Sequence, residues 1–241
     1  MGALATGPHP ATTTRITLTA TDGAAVPAIL ARPDDAAAAS LVVHPDLLGV
    51  RPLFDDLCQR LATHGYAVCC PEPFARAPES VRAGENPEAR LGFLAHLDDD
   101  RQLGDLVTAA DHLGEGEVSV LGFCMGGMQT LKAAALGRFN RAVAFYGMIR
   151  VPDAWRGPGL HEPLPTAAAV CPTLAIFGDA DPFTPAADLD ALRQAWRDRP
   201  DCELVVYADA EHGFVHAPER PAHRSDDAAD AWRRALAFLA D

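Results

Sequence analysis

The stretch that most constrains this chain runs Val118-Ser119-Val120-Leu121-Gly122-Phe123-Cys124-Met125-Gly126-Gly127-Met128-Gln129. Its first half is a short apolar run with β-branched residues, which reads as a buried strand. Its second half opens a helix over residues 128–136, with Gly137 standing where a C-cap would fall. Joining the halves is Gly122-Phe123-Cys124-Met125-Gly126, a G-x-S-x-G nucleophile elbow with cysteine in the serine position. A sharp strand-to-helix turn strains its central residue, and flanking glycines let the two backbones approach. Such a turn lifts the Cys124 sulfur to the sheet's rim and to a helix N-terminus, where partial positive charge favours thiolate. The plain alternative is a small buried hydrophobe, the usual fate of a free cysteine.

Around the elbow the pattern alternates. Residues 12–19 and 26–31, separated by Asp22-Gly23, predict an antiparallel, hairpin-like start. Strands follow at 40–43 and 66–70, with an amphipathic helix over 53–64 between them that closes at Gly65. Residues 72–87, rich in Pro, Glu and Arg, read as a loop. A helix over 98–113 has an acidic first turn that suits its dipole. After the elbow unit come strands at 142–146, 173–177 and 204–207, and helices over 186–197 and 226–239. The connection 147–172 holds five prolines and is too broken for regular structure beyond one turn. Strands alternating with helices predict an α/β class fold, a mostly parallel central sheet with helices on both faces. Residues 1–11 read as a flexible N-terminal tail and 12–241 as a single domain, a length such folds reach undivided.

In parallel sheets ligands sit at the carboxyl ends of the strands, so the polar residues there matter most. Gly178-Asp179-Ala180-Asp181-Pro182 follows one strand and Glu211-His212-Gly213-Phe214 follows another. Cys124, Asp181 and His212 thus stand in the order nucleophile, acid, base, which is the order of the α/β-hydrolase fold. The chemistry needs this set. A thiol is mostly protonated at neutral pH, so an imidazole must take its proton or pair with the thiolate. A carboxylate on the other ring nitrogen fixes the tautomer and stabilises the imidazolium. Asp181 lies deeper in its loop than Asp179 and is preferred; turn formation is the competing account of both. A fourth strand end, His44-Pro45-Asp46-Leu47, supplies the Leu47 backbone N–H as a second oxyanion donor beside that of Met125.

A net charge of −13 argues against nucleic-acid or anionic-membrane partners, and no run of 18 apolar residues could cross a membrane. The six cysteines include no CxxC pair, which suits a reducing cytoplasm and gives no support to a zinc site. The expected partner is a small molecule.

At this point the residues resemble the dienelactone hydrolase (carboxymethylenebutenolidase) family of α/β-hydrolases, from about residue 12 to 239. The likeness is carried by Gly122-Phe123-Cys124-Met125-Gly126-Gly127, Phe145-Tyr146-Gly147, Gly178-x-x-Asp181 and His212-Gly213-Phe214. It implies a hydrolase of small lactones or esters with no metal and no cofactor, working through a thioester on Cys124. His212 would be base and then acid, and Asp181 the orienting carboxylate. Asp46 stands where the family pattern has a glutamate that can take the thiol proton. Arg90, Tyr146, Phe214 and His216 fall where the resemblance expects substrate contacts. Two arginines serve the family's substrate carboxylate; Arg90 answers one, but the other place holds His216, which cannot make a bidentate guanidinium contact. A neutral ester or lactone is therefore the expected substrate. The competing readings are a non-catalytic thiol sensor or binding module, which would need neither acid nor base, and a hydrolase of amides or thioesters.

Overall fold

The computed structural model describes residues 4–82 and 86–241. Its strands are β1 (Ala11–Thr19), β2 (Ala25–Pro33), β3 (Ala39–His44), β4 (Tyr66–Pro71), β5 (Val118–Phe123), β6 (Ala142–Phe145), β7 (Thr173–Gly178) and β8 (Cys202–Tyr207). They form one sheet in the order β1-β2-β4-β3-β5-β6-β7-β8. Only the β1–β2 and β2–β4 pairs are antiparallel; every other pair is parallel. Strands β4 to β7 are buried at every residue, which is why their sequences read as continuous apolar runs.

The helices are α1 (Pro52–Thr63), α2 (Glu79–Arg82), α3 (Pro87–Phe93), α4 (Asp99–Leu113), α5 (Met125–Ala133), α6 (Ala186–Trp196) and α7 (Ser225–Ala240). They cover both faces of the sheet. Because strand side chains alternate, Leu41, Val43, Leu121 and Phe123 pack with α1 and α7, through Phe54, Leu57, Leu61 and Trp232. Val42, Val120, Ala175 and Phe177 point the other way, onto Leu106, Leu131, Leu192 and Trp196 of α4, α5 and α6.

Local details depart from the sequence-based reading. Helix α5 starts at Met125 rather than 128 and is capped at Ala134; Gly137, with φ of +71°, lies in the turn beyond. The 72–87 loop contains α2 and leads into α3, whose first turn is capped by the Asn86 side chain. The 147–172 connection holds two 3₁₀ turns, Asp153–Trp155 and Leu164–Ala169. The expected flexible tail is pinned instead. Leu4 is 2% exposed, Gly7 N–H donates to Thr63 Oγ1 at 2.7 Å, and Arg60 Nη1 donates to the Leu4 carbonyl at 3.0 Å. One buried leucine and five hydrogen bonds to the end of α1 hold a segment whose composition reads as loose; residues 1–3 lie outside the described residues.

Candidate active site

The elbow forms where β5 ends. Cys124 adopts φ 56° and ψ −119°, its N–H bonded to the Phe145 carbonyl at 3.0 Å and its carbonyl accepting the Met128 N–H at 3.0 Å. A non-glycine residue in that region costs about 1–3 kcal/mol and persists only where its surroundings hold it. The glycines on either side do so by absence. A Cβ on Gly122 would fall 2.2 Å from the Gly126 carbonyl oxygen, and one on Gly126 only 2.3 Å from that of His44. Helix α5 can therefore begin directly on Cys124 and lie against the β3 exit.

His212 and Asp181 meet across the ends of β7 and β8. His212 Nδ1 lies 2.7 Å from Asp181 Oδ2, and Asp181 Oδ1 accepts the Phe183 N–H at 2.8 Å, which fixes the carboxylate. Asp181 is 3% exposed. The imidazole is gripped edge-on by two rings, Tyr146 at 5.2 Å and Phe183 at 4.9 Å. Its Nε2 is buried with no oxygen or nitrogen partner among the described residues, and the Cys124 sulfur is the hydrogen-bonding neighbour that helps to raise the ring's pKa. Burial by itself pulls the His212 pKa down, but the charge of Cys124 and the bond to Asp181 outweigh it and push the ring up to about 10. Asp179 turns out to lace the loops together, its Oδ1 accepting the Asp209 N–H at 2.6 Å.

Cys124 and His212 open onto one cavity of about 480 Å³, within the size range of small-molecule sites. Leu47, Leu48, Leu91, Met148, Trp155 and Phe183 make its wall mostly apolar, and Arg51, Glu219 and Arg220 add charge. Leu91 and Phe183 are each 44% exposed at its mouth. The N–H groups of Leu47 and Met125, from the β3 exit and the first turn of α5, have no acceptor among the described residues. Among those residues no cluster of three or more His, Cys, Asp or Glu could hold a metal ion.

Four expected substrate contacts lie elsewhere. Arg90 is buried, its guanidinium 3.3 Å from Glu72 and 4.7 Å above the Phe74 ring. Tyr146, Phe214 and His216 are fully buried behind the cavity wall. His216 Nδ1 bonds the Tyr146 hydroxyl and its Nε2 lies 2.8 Å from Asp46 Oδ2. Asp46 borders the cavity, but its carboxylate is bonded to Arg51, His216 and Leu48 rather than to the thiol. For Arg90, Tyr146, His216 and Asp46 the cause is that a charged or polar group enclosed by apolar neighbours must find a protein partner, whereas Phe214 is a core aromatic packed on Tyr146 and Tyr207. Among the cavity residues that sequence reasoning missed, Phe183 and Arg220 sit on loops, Trp155 closes a 3₁₀ turn and Arg51 stands just before a helix, with no periodicity to mark them.

A mostly parallel eight-stranded sheet, an elbow at the end of β5, and an acid and a histidine after β7 and β8 define an α/β-hydrolase. The dienelactone hydrolase family profile matches residues 26–241. The chain belongs to that family and is a hydrolase of the lactone and ester type. A protein of Salmonella typhimurium, provisionally named a carboxymethylenebutenolidase, is 31% identical over 97% of this chain and 89% of its own length. The carboxymethylenebutenolidase of Pseudomonas putida is 27% identical, covering 93% of this chain and 95% of its own. A Klebsiella pneumoniae crystal structure, provisionally named a dienelactone hydrolase, superposes with a TM-score of 0.86 at 28% identity, over 96% of this chain and 99% of that one. No helix among the described residues is long and apolar enough to cross a membrane.

Proposed function

We propose that the protein hydrolyses small lactones or esters through a Cys124–His212–Asp181 triad and a thioester acyl-enzyme. The observation that carries this is His212: one ring nitrogen is bonded to a buried carboxylate, and the other has no oxygen or nitrogen partner among the described residues and neighbours the Cys124 sulfur at the cavity. In this reading the Cys124 sulfur attacks the substrate carbonyl, and the developing oxyanion is held by the Leu47 and Met125 N–H groups. His212, protonated, gives its proton to the departing alkoxide oxygen; in a lactone that oxygen stays attached as the tail of the acyl group. Water then attacks the thioester while His212 takes a proton from it, and Cys124 departs as thiolate. Asp181 keeps the imidazole in the tautomer and orientation both steps use. The binding partner is a small molecule, and the reaction calls on no cofactor.

A stoichiometric burst of p-nitrophenol from p-nitrophenyl acetate, with one acetyl group recovered on Cys124 by mass spectrometry, is expected of wild type and not of Cys124→Ala. Turnover surviving in that variant would end the reading, and so would a thiol that reacts with electrophiles but never with esters, as a sensor's would.

The preferred substrate is a neutral ester or lactone. Arg90 and His216 are both engaged with protein carboxylates, and the cavity wall is mainly apolar. One observation favours a second reading: Arg220, on the wall, makes no ion pair among the described residues and could meet an acidic substrate. Comparing dienelactone with short p-nitrophenyl esters in wild type and Arg220→Ala separates them. Efficient dienelactone turnover that depends on Arg220 would replace the neutral-substrate reading.

A further inference from the structure

Asp46 and Cys124 line the same cavity, yet the acceptor sites of the Asp46 carboxylate are all in use. Oδ1 accepts the Leu48 N–H at 2.9 Å and Arg51 Nη1 at 2.6 Å. Oδ2 accepts Arg51 Nη2 at 2.8 Å and His216 Nε2 at 2.8 Å. A carboxylate offers about four lone-pair sites, so none remains for a thiol proton.

The direction of each bond follows from the donors. Arg51 is always charged, and its fork across both oxygens keeps Asp46 ionised. Although burial opposes ionisation, the bonds from His216 and Arg51 hold the carboxyl well below the usual range. His216 must then donate from Nε2. Its burial pushes its own pKa down, so the ring is neutral and Nδ1 is left as an acceptor for the Tyr146 hydroxyl. The imidazole also stacks on Phe123, the residue before Cys124, with centroids 4.7 Å apart and planes 23° apart. Tyr146 itself leaves β6 with φ of +38° and is tied by its N–H to the Ile176 carbonyl at 2.7 Å. The chain Tyr146–His216–Asp46–Arg51 therefore runs from the end of β6, beside β7, to the loop that follows β3.

Leu47 sits inside that loop. Its peptide is bracketed by the anchored Asp46 side chain and by the Leu48 N–H bonded to it, while the Asp46 carbonyl takes the Gly49 N–H at 2.9 Å. We propose that Tyr146 and His216 are positioning residues which act through Asp46 to aim the Leu47 N–H as an oxyanion donor, and that Asp46 is a clamp rather than the base of the thiol. The proposal rests on the acyl-transfer reading above. It has physical force because an oxyanion donor stabilises the transition state only when it is fixed before charge develops.

The test compares two reactions of the same sulfur. Ester hydrolysis passes through an oxyanion; alkylation by iodoacetamide needs the activated thiol but makes no oxyanion. In His216→Phe the ring shape is kept while both nitrogen contacts are lost. Its kcat for p-nitrophenyl acetate is expected to fall by about 10–10³-fold, the upper end being the loss of one donor, with KM little changed. The rate of Cys124 alkylation should stay within about twofold of wild type, since alkylation uses the thiolate rather than the oxyanion donors. Tyr146→Phe removes one hydroxyl and should show a smaller loss of the same kind; it carries the comparison alone if His216→Phe fails to fold. Alkylation and hydrolysis falling together, or hydrolysis unchanged, would overturn the proposal. Wild-type turnover that survives Cys124→Ala would instead defeat the acyl-transfer reading beneath it.

Discussion

Lys132 Nζ lies 2.9 Å from both carboxylate oxygens of Asp99, and the two side chains are almost wholly buried. The pair ties α5 to the first turn of α4. Asp99 also accepts Gln129 Nε2 at 2.9 Å and the His161 N–H at 2.7 Å, so it anchors the connection that carries Met148 and Trp155 to the cavity. Removing one partner of a buried pair strands the other's charge, at a cost of about 3–5 kcal/mol. Lys132→Met should lower the urea-unfolding free energy by roughly that amount, and Lys132→Met with Asp99→Leu should recover part of it. A loss below about 1 kcal/mol for the single variant would mean that water reaches the pair.

Cys124→Ser should lose most esterase activity, by about 10²-fold or more, because an alcohol needs stronger base assistance than an imidazole already protonated by its neighbours supplies. Steady-state hydrolysis of p-nitrophenyl acetate measures this, and a rate near wild type would count against a site tuned for sulfur. Alkylation in the native protein should fall on Cys124, because burial pushes the Cys69 thiol up to about 12 and the Cys171 thiol up to about 11.

The pH dependence follows from the sign of the His212 shift. Its pKa is raised to about 10, so the ring stays protonated through the neutral range and loses its proton only in alkali. The high-pH limb of kcat/KM should therefore report loss of the general acid near that value. Deleting the Cys124 charge in Cys124→Ala removes one cause of the rise, leaving burial opposed chiefly by Asp181, and the pKa should fall. NMR titration of the imidazole ring in both proteins checks it; an unchanged pKa would contradict the pairing.

Gly126→Ala should not yield a stable enzyme. The added methyl would sit 2.3 Å from the His44 carbonyl oxygen and 2.4 Å from that of Pro45, both backbone atoms with nowhere to retreat. A drop of several kcal/mol, on the order of 3 or more, is expected in denaturant unfolding, as for other severe overpacking. Gly116→Ala, where a Cβ meets nothing, is the matched control.

How far the sequence could be read depended on how local each constraint was. The parallel strands announced themselves as unbroken apolar runs, and the approach of His212 to Asp181 was legible because each follows such a run. Asp46, Arg90 and His216 were not. Each carries a charge or a ring that suits a substrate equally well, and only the folded chain brings Glu72 to Arg90 or His216 to Asp46 across 170 positions. Trp155 and Phe183 gave no signal, since nothing periodic ties a loop aromatic to a cavity.

The docked segment that includes Leu4 and Gly7 makes the amino end a poor handle. It braces the last turn of α1, and the same helix begins next to Arg51, the grip on Asp46. A purification tag spliced there would tug on a rod whose far end borders the cavity, whereas one joined after the exposed Asp241 would hang clear of both.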